Sequence, residues 1–563
     1  MNRATTRASM LAADSLLRGL IDEFLKRNLR VTLAFGMIPP DLADELQADS
    51  ADPFRLLDQP DRSWVPYFRS VLDAYGQRVS RWQLGREQSL SAGGSWATPR
   101  DVAERLSKFR RVLSRFIPGP VTVLPTAAEL ESSPAGSAPG SEAITVLVPS
   151  SFRAVAAGEV VRAGIARGAA APETTYLLEM PDASVFGHRA AVIEVVRRAV
   201  LAWAAHGASA DPPPRLGLVD AWLSRPDRAD DRAAALRPLP ELGVLSVLSS
   251  RLAGRRVIGE FPVTPGVRCF ILADPLAEQT SGALVAWNEG ADPSLAVLRA
   301  YLGGGVITLY DPFGNGTVSR GETQGGATEI HTIALGETPV FIEGVDARML
   351  RFIASFHIEP GVVPSIAAEH DHDVILENPW PVRVSGSIRL HEAASHRTAR
   401  EWKFVPSGSI PFSILPGQSQ RIPISFSFGP AEEAGPKEIL AQVQLNADRA
   451  YSNLQLRTHL DVGAGELELS PSLVLSPTEA GPDVSVVVAV TNHSSRTRSL
   501  EILGLAPEQP RATIPLSNLG PGESAVRRFA FPGAAAALSG RHIRVVLSES
   551  DGVERINRYV RVP

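Results

Sequence analysis

The strongest constraint on the fold is an alternation of strand and helix patterns along residues 1–254. Helical periodicity is present over 9–28, 61–76, 99–116, 151–168, 187–206 and 233–253. Short runs rich in apolar and β-branched residues occupy 29–35, 78–84, 120–125, 143–148, 174–179 and 215–219. Such alternation predicts parallel strands covered by helices. Six strands suit a doubly wound open sheet, whereas a closed (β/α)8 barrel needs eight, and the spacing leaves both architectures open.

The pattern changes after residue 254, where residues 255–360 predict an antiparallel β-domain. Short strands are separated there by turns rich in glycine, aspartate and asparagine. The strands are predicted at 256–259, 268–272, 282–287, 306–310 and 339–343.

An internal repeat follows, with one copy at 366–463 and a second at 464–563. Each copy pairs an asparagine at a strand end, Asn378 or Asn492, with a later Pro-Gly turn ending at Gly417 or Gly522. Copies of about 100 residues built from short strands predict two immunoglobulin-like β-sandwiches. Neither copy contains a cysteine, so no disulfide joins their sheets.

Composition narrows the class of protein. The 563 residues carry 56 Lys+Arg and 61 Asp+Glu, a formal charge of −5, which argues against a nucleic-acid-binding chain. The single cysteine, Cys269, excludes an intramolecular disulfide framework and a multi-cysteine zinc site. No apolar run reaches about 18 residues, so no transmembrane helix is predicted, and the residues after Met1 show no secretory pattern.

Two carboxylates follow predicted strands of the first region. Glu87 comes after the strand at 78–84, and Glu179 ends the strand at 174–179. In a β/α barrel the reacting groups project from the C-terminal ends of the strands. Retaining glycosidases place an acid/base carboxyl group about 5–5.5 Å from a nucleophilic carboxylate, and two strand ends can supply that pair. The structural alternative is that both residues cap helices or lie solvated in loops.

Several segments together resemble clan A glycoside hydrolases of the β-xylosidase/α-L-iduronidase type. Residues 64–87, with Trp64-Val65-Pro66-Tyr67-Phe68 leading to Trp82 and Glu87, are similar to the family's third helix and fourth strand. Leu177-Leu178-Glu179-Met180 resembles the seventh strand, and 216–222 the eighth. The segments at 284–287, 309–314 and 335–342 resemble the accessory β-domain that follows such barrels. The tandem sandwiches resemble accessory modules of large bacterial polysaccharide-active proteins.

The resemblance implies a retaining glycoside hydrolase that acts on poly- or oligosaccharides. It makes Glu179 the nucleophile and Glu87 the acid/base. Trp222 would lie under the sugar, and Asp220, Arg86 and Trp96 are further substrate-binding candidates. No cofactor or metal is implied. The expected partner is a carbohydrate and not a nucleic acid, and the expected location is extracellular or periplasmic.

Departures from the family pattern lead to a second hypothesis, in which the protein is not an active enzyme. Arg86 stands where the family has asparagine, and Gln88 where it has proline. A neighbouring arginine lowers the pKa of a carboxyl group, whereas a general acid needs a raised pKa. The resemblance also places the first two β/α units upstream of Met1, which makes the barrel incomplete. The alternative is a catalytically inactive scaffold that binds glycans or proteins through its sandwiches.

Weaker candidates have structural interpretations that we prefer. Strand alternation puts His370 and His372 on one face, where they could bind a metal, but a polar strand at a domain junction is the favoured interpretation. The pair Asn288-Glu289 is predicted to form a turn, and Cys269 to be an inert buried thiol. Trp82 and Trp203, each in the middle of an element, are predicted to pack in the core.

Overall fold

The computed structural model describes most of the chain. The described residues are 17–50, 52–85, 99–128, 142–166, 173–205, 215–219, 222–223, 237–238, 240–261, 263, 266–273, 281–290, 296–303, 305–324, 328–392, 402–463, 466–476, 483–549 and 555–563. Within them the protein is a mixed α/β and all-β multidomain chain.

The first region forms a six-stranded sheet from its described residues, with the strands in chain order and every neighbouring pair parallel. The strands are β1 (Thr32–Phe35), β2 (Arg81–Leu84), β3 (Val121–Ala127), β4 (Ala143–Val148), β5 (Glu173–Glu179) and β6 (Arg215–Val219). The parallel sheet predicted from the alternation is therefore present. β1 begins at Thr32 and not at residue 29, because β2, its hydrogen-bonding partner, begins opposite Thr32 at Arg81.

Helices connect and cover these strands. They are α1 (17–26), α2 (Pro40–Leu46), a 3₁₀ helix (Pro53–Asp58), α3 (Asp61–Tyr75), α4 (Pro99–Leu113), α5 (Ala154–Ala166), α6 (Ala183–Phe186), α7 (His188–Ala204) and α8 (Pro240–Leu252). The helix predicted over 233–253 begins only at Pro240, a residue whose fixed φ suits a first helical turn. A short antiparallel pair, β7 (Trp222–Leu223) with β8 (Arg237–Pro238), precedes it.

Strand alternation separates the two faces of the parallel sheet. Trp82 is fully buried on the helix-covered face, where it stacks on Phe35 at 5.3 Å between ring centroids. Tyr176 and Leu178 of β5 pack on α5 and α7 in a second core. Arg81 and Gln83 of β2, one residue out of phase with Trp82, therefore belong to the opposite face, which we call the inner face.

The next region is an antiparallel β-structure, as predicted. Its strands are β9 (Arg256–Glu260), β10 (Val267–Ala273), β11 (Ser281–Asn288), β12 (Val297–Ala300), β13 (Val306–Tyr310), β14 (Gly316–Arg320), β15 (Glu322–Gln324), β16 (Thr328–Ala334) and β17 (Val340–Asp346). They form a six-stranded sheet, β14-β13-β17-β11-β10-β9, and a three-stranded sheet, β12-β16-β15.

A helix absent from our prediction, α9 (Ala347–Ser355), follows β17. The Asp346 carboxylate caps it by accepting hydrogen bonds from the backbone N–H groups of Arg348 and Met349, at 3.0 and 3.1 Å. Aspartate before an amphipathic run is a helix-start signal, so the sequence did contain evidence for this helix.

The remaining strands form two sandwiches. The first contains β18 (His357–Glu359), β19 (Val362–Val363), β20 (His370–Glu377), β21 (Val384–Glu392), β22 (Lys403–Val405), β23 (Ile410–Ile414), β24 (Ser419–Ser427), β25 (Gly435–Asn446) and β26 (Ala450–Val462). The second contains β27 (Leu467–Ser476), β28 (Asp483–Asn492), β29 (Arg498–Leu505), β30 (Ala512–Leu519), β31 (Ser524–Phe531), the short helix α10 (Ala535–Leu538), β32 (His542–Glu549) and β33 (Arg555–Arg561).

The two copies share one sheet topology. In the first, β18-β20-β24-β22 faces β19-β26-β25-β21-β23, and in the second, β27-β28-β31 faces β30-β29-β32-β33. The strand order is thus the same for every strand that both copies contain. β18 pairs with β20 although it lies before residue 360, where the sequence placed the end of the preceding domain.

The hydrophobic cores run across the expected domain boundaries. Phe270, Val285 and Trp287 of the six-stranded antiparallel sheet belong to the same core as α5 and α7. A third core joins the rest of that region to the first sandwich. Burial of apolar surface therefore binds neighbouring units together as well as stabilising each one.

Candidate functional site

Glu179 lies where the sequence predicted, as the last residue of β5. Because Tyr176 and Leu178 pack toward the helices, alternation puts Thr175, Leu177 and Glu179 on the inner face. Glu179 is paired in register with Val219 at the end of β6. Its carboxylate therefore belongs to the C-terminal edge of the parallel sheet, on the inner face.

Ser150 holds one oxygen of this carboxylate. Ser150 follows the end of β4 by two residues, and both its backbone N–H and its hydroxyl donate to Oε2 of Glu179, at 2.8 and 3.0 Å. Among the described residues no hydrogen bond or ion pair reaches Oε1. The carboxylate is thus held through one oxygen, and no described residue bonds the other.

Arg198 braces the same strand ends from the helix side, and the sequence analysis did not identify it. This α7 side chain is fully buried. Its guanidinium donates to the carbonyl oxygens of Val148 (2.8 Å), Pro149 (2.6 Å) and Glu179. Burial lowers the pKa of Arg198, and the charges of Glu194 and Glu179 oppose that shift. An arginine within the apolar run of α7 was the available signal, since a buried cation needs acceptors.

The other predicted site residues fall outside the described ranges. They are Arg86, Glu87, Trp96 and Asp220. Trp222 lies in β7, paired with Pro238, but its side chain is not among those described. Gly85, at the end of β2, has φ +88°, and a Cβ there would lie 2.8 Å from the Phe54 ring. Glycine is therefore required where the chain leaves β2 toward Arg86 and Glu87.

An exposed apolar segment follows Glu179. In α6, Val185 is 70 % exposed and Phe186 65 %. Asp182 caps this turn by accepting from the backbone N–H (2.8 Å) and hydroxyl (2.7 Å) of Ser184, and these hydrogen bonds lower its pKa. The capped turn thus exposes an aromatic ring to solvent seven residues after Glu179. Aromatic side chains suit stacking on other ring systems.

The two histidines of β20 pack in the core of the first sandwich. His370 and His372 are on one face, as predicted, and both rings pack against Phe426. One ring nitrogen of each is hydrogen-bonded to a carbonyl oxygen, of Ile366 at 3.0 Å and of Pro360 at 2.8 Å. Within the described part of the chain, no group of three or more potential metal ligands occurs.

The remaining sequence candidates have structural roles. Asn288 forms a turn, as predicted, with its side-chain oxygen accepting from the N–H of Gly290 at 2.8 Å. Cys269 is buried, and burial raises the pKa of its thiol. Trp82 lies in the core, while Trp203 is partly buried and donates to the carbonyl of Arg255 at 3.0 Å.

Comparisons with known proteins do not assign a family. No protein-family model and no curated protein matches the chain. Among solved structures, the Pseudomonas aeruginosa CupB2 chaperone is 11 % identical with a TM-score of 0.14, covering 37 % of this chain and all of its own. An Amycolatopsis orientalis exo-chitosanase is 11 % identical with a TM-score of 0.15, over 36 % of this chain and 27 % of its own.

A third structure, a β-galacturonidase from Eisenbergiella tayi, is 11 % identical with a TM-score of 0.16, over 47 % of this chain and 43 % of its own. TM-scores at this level do not establish a common fold. Among the described helices, none has both the length and the apolar character needed to cross a membrane.

Proposed function

We propose that the protein is carbohydrate-active, a retaining glycoside hydrolase in which Glu179 is the nucleophile. The observation that carries the proposal is the setting of this carboxylate. It lies on the inner face at the C-terminal end of β5, with Oε2 bound by Ser150 and with no bond to Oε1 from any described residue. A nucleophile must be fixed in direction while one oxygen stays accessible to the anomeric carbon.

The proposal includes a finer fold assignment. We interpret the six parallel strands as the last six strands of a (β/α)8-type barrel, followed by an accessory β-domain and two immunoglobulin-like modules. Strands in unbroken chain order with parallel neighbours support the barrel interpretation. The shared strand order of the sandwiches supports the module interpretation.

In this mechanism Glu87 protonates the departing glycosidic oxygen while Glu179 attacks the anomeric carbon. A covalent glycosyl-enzyme forms, and Glu87 then removes a proton from the water that releases the sugar with retained configuration. Arg86 and Asp220 would bind sugar hydroxyl groups, and Trp222 and Trp96 would stack on sugar rings.

The contacts around Glu179 also support the inactive-scaffold alternative. The same contacts that orient Glu179 also tie the end of β5 to the segment after β4, through Ser150 and Arg198. A carboxylate with only this bracing role would stabilise the sheet without reacting. The sandwiches would then carry the binding function.

Hydrolysis of a panel of aryl glycosides by wild type, Glu179→Gln and Glu87→Gln separates the two functions. The proposal predicts activity in the wild type and a loss of at least about 100-fold in each variant. Glu104→Gln, at an exposed position on α4, is the matched control and keeps wild-type activity. Equal hydrolysis by the wild type and Glu179→Gln contradicts the nucleophile assignment, and an inactive wild type supports the scaffold.

A further inference from the structure

A cavity of about 350 Å³ lies between two helices of the first region and two strands of the next. Its walls come from α5 and α7 on one side and from β9 and β10 on the other. It is separate from the Glu179 edge, since α5 and α7 lie on the opposite face of the parallel sheet. Its size falls in the range of small-molecule sites, and such sites favour domain junctions.

The floor of the cavity is apolar. Leu201 of α7, Val257 of β9 and Phe270 of β10 line it and are buried. Gly158 of α5 also lines it, and a Cβ at that position would lie 3.1 Å from the carbonyl oxygen of Leu201. The glycine therefore lets α5 pack closely on α7, which fixes the helical wall.

The rim carries both signs of charge on both walls. Glu159 and Arg162, three residues apart on α5, line the helical side. Glu260 and Arg268 line the strand side, with 3.6 Å between a carboxylate oxygen and a guanidinium nitrogen. The Arg268 guanidinium carbon lies 5.5 Å from the centre of the Phe270 ring. Its Nε is buried and has no hydrogen-bond partner among the described residues.

We infer that this cavity binds a small zwitterion with an apolar body, an α-amino acid or a short apolar peptide. A carboxylate would bind the guanidinium groups of Arg162 and Arg268, in the charge-assisted geometry that arginine favours. An ammonium group would bind the carboxylates of Glu159 and Glu260. The apolar side chain of the ligand would cover Phe270 and the rest of the floor, where burial adds affinity.

Calorimetric titration of the full chain with L-phenylalanine, L-leucine and leucyl-leucine tests the inference. We expect saturable binding of at least one of these zwitterions. The analogue that lacks the ammonium group, 3-phenylpropanoate, and the analogue that lacks the carboxylate, phenethylamine, should each bind at least about tenfold more weakly than L-phenylalanine. Equal binding of the analogues, or no saturable binding of any zwitterion, overturns the inference.

Variants locate the binding. Val155 lines the cavity and is 53 % exposed, so Val155→Trp fills the space without disturbing the core. It should weaken binding at least about tenfold, whereas Val185→Trp, at an exposed position on α6, should bind like the wild type. Arg268→Gln should selectively weaken ligands that carry a carboxylate. Unchanged binding in Val155→Trp and Arg268→Gln would show that the ligand occupies another site.

Discussion

Arg30, two residues before β1, donates a hydrogen bond to Glu173 at the beginning of β5, at 3.1 Å. β1 and β5 are separated by three strands in the parallel sheet. Four inter-strand spacings amount to about 19 Å on a flat sheet, which is farther than an arginine and a glutamate can reach together. The contact therefore requires the sheet to curl so that its first and later strands approach each other.

Glu173 is the shared partner of the arginines that meet where the sheet curls. Arg81 of β2 lies 3.0 Å from its carboxylate, and Arg215 of β6 also contacts it. Burial lowers the pKa of Arg81, and the charge of Arg30 lowers it further. We predict that Glu173→Gln reduces the free energy of unfolding by about 2 kcal/mol, because three guanidinium groups lose their shared counter-charge. Urea unfolding followed by circular dichroism measures the loss.

The control for this prediction is an exposed pair of the same type. Glu23 of α1 and Arg27, directly after its end, lie 2.9 Å apart, with side chains 50 % and 69 % exposed. Glu23→Gln should change the free energy of unfolding by less than about 0.5 kcal/mol. If the two variants lose the same stability, the Glu173 cluster has no special role in closing the sheet.

A buried ion pair supports the junction of the sandwiches. The Lys437 ammonium lies 2.7 Å from Glu432, both side chains are at most 8 % exposed, and the Trp402 indole N–H donates to Glu432 at 2.9 Å. The carbonyl of Glu432 accepts from the Asn557 amide of β33 at 2.9 Å. The loop before β25 is thereby held against the second sandwich.

Glu432→Gln should therefore destabilise the protein by about 3 to 5 kcal/mol, because it leaves the Lys437 charge buried and unpaired. Trp402 fluorescence should shift in the folded variant. The double variant Glu432→Gln/Lys437→Met should regain part of the loss. If the double variant loses as much stability as Glu432→Gln and Lys437→Met lose in sum, the pairing is contradicted.

The His372 ring predicts a pH dependence of stability. Burial lowers its pKa, the Pro360 carbonyl opposes that shift, and the charge on His370 adds to it. A depressed folded-state pKa means that the unfolded chain binds the proton more readily. Stability is thus full above about pH 6.5 and falls as the pH drops below the unfolded pKa toward the lower folded one. Urea midpoints at several pH values should fall over this range in the wild type and stay flatter in His372→Phe.

The two asparagines of the repeat, Asn378 and Asn492, should contribute equally to the free energy of unfolding. Asn378 donates to the carbonyls of Val382 (2.8 Å) and Ile414 (2.9 Å), and Asn492 donates to those of Arg496 (2.8 Å) and Leu519 (3.0 Å). Both side chains are buried.

Substituting either asparagine by alanine leaves buried acceptors unpaired, so each variant should lose about 2 to 3 kcal/mol. The turn glycines Gly417 and Gly522 donate to the backbone carbonyls of these same asparagines, at 3.0 and 2.7 Å. Urea unfolding measures the free energy of unfolding of each variant. A large loss for one asparagine and none for the other would show that the two copies share a sequence pattern but not the stabilising role of the asparagine.

The buried thiol predicts low reactivity. Burial, with a smaller contribution from the charge of Glu260, raises the pKa of Cys269. Only the thiolate reacts with alkylating reagents, so iodoacetamide at about pH 8 should leave the folded protein unmodified and label it fully in urea. Rapid labelling of the folded protein would contradict the burial of this strand.

Local periodicity was sufficient for the six parallel strands and for most of the helices that cover them, but not for α9. Alternation of helices and strands predicted β1 to β6, and the spacing of an asparagine from a Pro-Gly turn predicted the repeat. Both signals come from residues close in sequence, so they can be recognised in a single sequence. The position of Glu179 at a strand end followed from the same reasoning. The apolar run of α7 signalled that Arg198 is buried, but its partners, the backbone carbonyls of Val148 and Pro149, have no side-chain pattern that reveals them.

Curvature, shared cores and the packing of neighbouring units were decided only in three dimensions. Arg30 and Glu173 are 143 residues apart, and Glu432 and Asn557 are 125 apart. Each contact depends on the whole path of the chain between its partners, which periodicity does not encode. The sequence by itself determined the six parallel strands, most of their covering helices and the repeat. The tertiary structure decided which of them meet, because burial and ion pairing act between surfaces that only folding brings together.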